Sequence, residues 1–91
     1  MDMKNTKGTV VISSAGHDCG HWFVITGADE RYVYIADGKE RKLAAPKRKN
    51  YKHIRKTAVT VDITDITDRK LRSILNVLSK QSIAEESEKL V

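Results

Sequence analysis

Apolar and polar positions alternate through most of the first two-thirds of the chain, and then the period changes. In residues 9–13, Val10 and Ile12 share one face of an extended run. In residues 22–26, Phe23 and Ile25 point one way, and Trp22, Val24 and Thr26 the other. Residues 32–36 alternate again and end on Asp37-Gly38, a tight-turn pair. Residues 39–43 predict a short fourth strand that Pro46 terminates, and the β-branched residues 57–63 predict a fifth. Short strands joined by tight turns predict a mainly β fold, a small barrel of about five strands.

After residue 63 the period becomes helical. Leu71, Ile74, Leu75 and Leu78 fall at i, i+3, i+4 and i+7, with Thr64, Thr67 or Asp68 as candidate caps. A helix this short is marginal alone in water, so its stripe must pack on the barrel or on a partner. Trp22, Val24, Tyr32 and Tyr34 are the expected landing site. The predicted organisation is a barrel over residues 1–63, a helix over 64–81 and a flexible tail over 82–91, which holds Glu85, Glu86 and Glu88.

Chain length is that of one small domain, which hides only roughly 60% of the surface its unfolded chain exposes. A deep catalytic cleft is not expected at this size. Lone Cys19 has no partner for an internal disulfide, as befits a reducing compartment. No apolar run is long enough for a membrane helix, and the first residues lack the apolar stretch of a signal peptide. The expectation is a soluble cytoplasmic protein.

The net charge of +5 is unevenly spread. The excess lies in residues 39–56, where Lys39, Arg41, Lys42, Lys47, Arg48, Lys49, Lys52, Arg55 and Lys56 face only Glu40. A concentrated cationic segment favours a polyanion, with nucleic acid as the default. Tyr51 and His53 lie inside it and are suited to stacking on an exposed base, although Tyr51 equally suits anchoring the segment to the barrel.

The second candidate is the loop over residues 14–21, Ser14-Ala15-Gly16-His17-Asp18-Cys19-Gly20-His21. Gly16 and Gly20 mark positions of positive φ or of close backbone approach to a ligand. Asp18 is expected to organise the loop by accepting backbone N–H bonds. His17, Cys19 and His21 are all metal-ligand types, but their alternation is not a structural-zinc spacing and a fourth ligand is missing. A Cys–His nucleophile lacks an orienting group and an oxyanion motif. Neither a metal, a cofactor nor an enzymatic activity is expected. Trp22, next to the loop, is assigned to receiving the helix ahead of stacking on a base.

The runs Gly8-Thr9-Val10-Val11, 14–20, Trp22-Phe23-Val24-Ile25, 32–38 and Pro46-Lys47-Arg48-Lys49 together resemble the KOW-domain RNA-binding proteins. More narrowly, they resemble the group of large-subunit ribosomal proteins numbered fourteen, six and twenty-seven in archaea and eukaryotes, with their short bacterial relatives. The likeness covers about the first two-thirds of the chain. It implies an SH3-like barrel that contacts ribosomal or other structured RNA through the loop after its first strand and nearby basic residues, without catalysis. Relatives often carry basic residues where this chain has His17, Cys19 and His21, which shifts phosphate contacts towards residues 46–56. The expected RNA-binding set is therefore Ser14, Gly16, His17, Gly20, His21, Arg41, Lys42, Lys47, Arg48, Lys49, Tyr51, Lys52, His53, Arg55 and Lys56. The expected partner is ribosomal RNA, in a ribosome-associated role in translation. The alternative is a protein-interaction module that docks through Leu71, Ile74, Leu75 and Leu78.

Overall fold

The computed structural model describes residues 7–90, with side chains described through residue 81. Five strands, β1 (Thr9–Ser13), β2 (Trp22–Ala28), β3 (Tyr32–Ala36), β4 (Lys47–Asn50) and β5 (Ile54–Thr60), form one sheet in the order β4-β3-β2-β1-β5. Every neighbouring pair is antiparallel. A 3-10 turn, Tyr51–His53, joins β4 to β5, and one helix, α1 (Asp68–Leu90), follows.

The expected barrel is not closed. β4 and β5 follow one another in the chain, yet they occupy the two edges of the sheet and do not pair. Closure would need their ladders to meet, and the 3-10 turn instead carries the chain from one edge to the other. Irregularities in the β1–β5 and β2–β3 pairings bend the sheet.

Both faces of this bent sheet are buried, as the alternation requires. Val11, Phe23, Ile25, Val33 and Ile35 form one core, with Ile54 packed against it. Val10, Val24 and Ala36 form the other, together with Leu71 and Leu75 of α1. The helix therefore packs in cis. It lands on Trp22 and Val24 as expected, but not on Tyr32 and Tyr34. Tyr32 instead lies under the Arg48 guanidinium, 4.5 Å from its ring centroid, and Tyr34 Oη donates to Asp29 Oδ2 at 2.9 Å.

The expected bounds of the fourth strand, the fifth strand and the helix all move. Residues 39–43 are not a strand, because their amides are captured elsewhere. Asp37 Oδ1 accepts from the backbone N–H of Lys39 and of Arg41, each at 2.9 Å, and Asp68 Oδ1 accepts from that of Leu43 at 2.7 Å. β4 forms instead beyond Pro46, in the stretch Lys47–Asn50 that read as a basic loop. β5 spans Ile54–Thr60 and not 57–63; Val61 N–H still donates to the Gly8 carbonyl at 2.8 Å, and Val61 and Ile63 pack against the core that Leu71 and Leu75 join.

The helix starts later than 64, at Asp68, with Thr67 Oγ1 accepting from Lys70 N–H at 3.2 Å. It runs on through residues 82–90, the stretch set apart as a tail. Residues 1–6 of the expected barrel unit and residue 91 of the tail lie outside the described residues. Gly38 (φ +79°) sits where a Cβ would strike the Asp68 carbonyl, so only glycine lets the β3 end meet the start of α1. No helix among the described residues is long and apolar enough to cross a membrane.

Candidate nucleic-acid interface

The loop between β1 and β2 is built on its own backbone. Gly20 N–H donates to the Ser13 carbonyl at 2.8 Å, Ser13 N–H to the His21 carbonyl at 3.0 Å and His21 N–H to the Asp18 carbonyl at 2.9 Å. Gly16 and Gly20 have φ of +87° and +90°, the left-handed conformation their sequence positions suggested. Ser14, Gly16, His17, Cys19, Gly20 and His21 are exposed along it. His21 Nδ1 lies 3.1 Å from the Asp18 carbonyl oxygen. Ser14 N–H donates to the His53 carbonyl at 2.9 Å, which brings the 3-10 turn against the loop.

The Asp18 carboxylate accepts from side chains and not from the backbone N–H groups expected of it. Its Oδ1 accepts from Ser13 Oγ at 2.7 Å and Lys49 Nζ at 2.8 Å, and its Oδ2 from Lys47 Nζ at 2.7 Å. Lys49 Nζ also donates to the Ala15 carbonyl at 2.7 Å. The Lys49 and Asp18 side chains keep only 9% and 15% of their exposure. Desolvation opposes ionisation of Asp18, but the hydrogen bonds from Lys47, Lys49 and Ser13 outweigh it and hold the carboxyl well below the usual carboxylate range. Register explains the reach: Lys49 lies opposite Val33 and Lys47 opposite Ile35, so both lysines share the face of the core built on Phe23, Val33 and Ile35 and span the open side of the sheet.

Two members of the expected RNA-binding set, Lys47 and Lys49, are therefore ion-paired, and Lys49 is buried. Arg41, Lys42, Arg48, Tyr51, Lys52, His53, Arg55 and Lys56 are exposed, Tyr51 to 41%. They do not form one patch by strand register. Arg48 sits on the β4 edge with Tyr32, whereas Arg55 lies in the cross-strand row Trp22–Ile12–Arg55 at the opposite side of the sheet. Arg41 and Lys42 belong to the turn that anchors the start of α1.

That row leads to a groove of about 920 Å³ between the loop and α1. Cys19, Gly20, His21 and Trp22 line it from the loop and β2, Asp37 and Lys39 from the turn after β3, and Arg69, Arg72, Ser73, Leu75, Asn76 and Ser79 from α1. Asp37, the carboxylate of the lining, is already an acceptor for two backbone amides. Arg69 and Arg72 lie outside the expected set, on the helix flank next to the leucine stripe. The signal was present: 69, 72, 73, 76 and 79 fall on one helix face beside that stripe. Among the described residues no three His, Cys, Asp or Glu side chains gather closely enough to hold a metal ion. No protein-family model matches this chain, and no curated protein matches it.

Proposed function

We propose that this protein is a non-catalytic RNA-binding module of the small KOW type, ribosome-associated and directed at ribosomal RNA. The observation that carries the reading is the groove lined by Lys39, Arg69, Arg72 and Trp22, where three cations outnumber the one carboxylate, Asp37. Cations supply phosphate affinity by counterion release, and an aromatic face receives a base. The KOW likeness adds to it through the glycine-containing loop over 14–20, the short strands around it and the Pro46-Lys47-Arg48-Lys49 run. Exposed Arg41, Lys42, Lys52 and Arg55 extend the cationic surface beyond the groove. Lys47 and Lys49 contribute by shaping the loop, not by holding phosphates.

The interaction-module reading is weaker, because Leu71 and Leu75 are spent on the sheet and Leu78 packs against the same core. Two measurements test the RNA reading. In gently lysed cells the protein should sediment with the large ribosomal subunit at low salt and leave it at high salt. In filter binding to ribosomal RNA, neutralising Arg41, Lys42, Lys52 and Arg55 together should flatten the plot of log K against log salt by as much as about 3, at roughly 0.7–0.9 per lost phosphate contact. A folded variant with wild-type affinity and slope would sink the assignment of those four residues. Migration as a free small protein without RNA would sink the ribosomal one.

A further inference from the structure

Resting on the RNA-binding reading, we infer that the groove between the β1–β2 loop and α1 takes an unpaired stretch of the strand, with a base against Trp22 and the flanking phosphates on Arg69 and Arg72. Trp22 lies between two environments. It packs, half-buried, against the core of Val10, Val24 and Leu71, and it also lines the groove, so the same packing that holds the side chain in place sets it in the groove wall. Such a ring offers a base a pre-ordered face at little entropic cost. In a duplex both base faces are already stacked, and only an unstacked base reaches a recessed ring.

Arg69 and Arg72 stand three residues apart on one helix face, both exposed, and Lys39 lines the groove from the turn after β3. That places cations on two separate elements of the groove wall that Trp22 shares, and a cationic groove with an aromatic side chain is the arrangement that tracks a single-strand backbone. Ser73, Asn76 and Ser79 add hydrogen-bonding groups to the lining, suited to a base edge that pairing would otherwise occupy.

Trp22 is the single tryptophan of the chain, so tryptophan emission reports on this one position. The test titrates the full chain with dodecauridylate and, in parallel, with a blunt 12-base-pair RNA duplex, reading Trp22 fluorescence and filter binding together. Dodecauridylate should quench Trp22 and the duplex should not. Arg69→Gln/Arg72→Gln should weaken dodecauridylate at least about fivefold at moderate salt and flatten the salt slope by about 1.4, two contacts at roughly 0.7 each. Both arginines are exposed, and Lys39→Gln gives a second reading that leaves the helix untouched. The inference fails if dodecauridylate binds with Trp22 emission unchanged, if the arginine variant keeps wild-type affinity and slope, or if the duplex quenches Trp22 equally; the RNA-binding reading survives each of these. Absence of binding to either RNA at low salt overturns both.

Discussion

Asp18 shows how one side chain can take charge out of a cationic segment. It accepts from two lysines that lie about thirty positions further along the chain, at separations of 29 and 31 residues, and from Ser13. Removing its charge by Asp18→Asn leaves the Lys49 ammonium buried without its counter-ion. Breaking a fully buried pair costs about 3–5 kcal/mol; Lys47 keeps 29% of its exposure, so a loss of about 1–3 kcal/mol is expected in urea unfolding at neutral pH. The pH dependence has a definite sign. The folded carboxyl titrates below its unfolded value of about 3.9, so its contribution is complete above that value and is lost as pH falls towards the folded one. The stability gap between wild type and Asp18→Asn should therefore hold from neutrality to about pH 5 and narrow below about pH 4. A gap that does not change with pH would show that Asp18 acts by packing alone.

Among the elements, α1 has the clearest division of labour. Leu71 and Leu75 close the core over Val10, Val24 and Ala36, while Val77 is 50% exposed. Leu71→Ala should cost about 2–5 kcal/mol, and Val77→Ala should stay within about 0.5 kcal/mol, both read from the chemical-denaturation midpoint. Equal small effects would mean that the helix is not docked in solution. The helix was legible in its leucine spacing, and strands β1 to β3 in their alternation, because those side chains face apolar cores whose geometry repeats with the element. β4 was not legible. Lys47-Arg48-Lys49-Asn50 has poor strand propensity, and what holds it is pairing to β3, the Arg48–Tyr32 stack and the reach of two lysines to a distant carboxylate. Residues 39–43 misled in the opposite sense, since local alternation carries no record that Asp37 and Asp68 take up their amides.

In the whole molecule, an open sheet is curled so that its β4 edge meets the β1–β2 loop through side chains where a closed barrel would use a ladder. β4 has one ladder neighbour, β3, whereas β1 and β2 each have two. Hydrogen exchange should show amides of Lys47–Asn50 protected less than those of β1 and β2, and Asp18→Asn should lower the β4 protection selectively. Uniform loss of protection across the sheet would place the ion-pair cluster in the global unfolding unit instead. The same curl and the docked helix place Trp22, Lys39, Arg69 and Arg72 around one groove, drawing on three separate parts of the chain.

Sequence alone determined the class of the fold, the faces of β1 to β3, the helix with Leu71 and Leu75 on its buried side, the positive-φ glycines of the loop and the cationic bias of residues 39–56. Each of these is written in local spacing or composition, because a strand or helix repeats its geometry every few residues. Tertiary structure decided which cations remain available to a ligand. Lys47 and Lys49 read as phosphate binders until the fold pairs them with Asp18, and Arg69 and Arg72, outside the expected set, come to line one groove with Trp22. A charge acts through its neighbours in space, and those neighbours are chosen by the packing of cores that lie far apart in the chain.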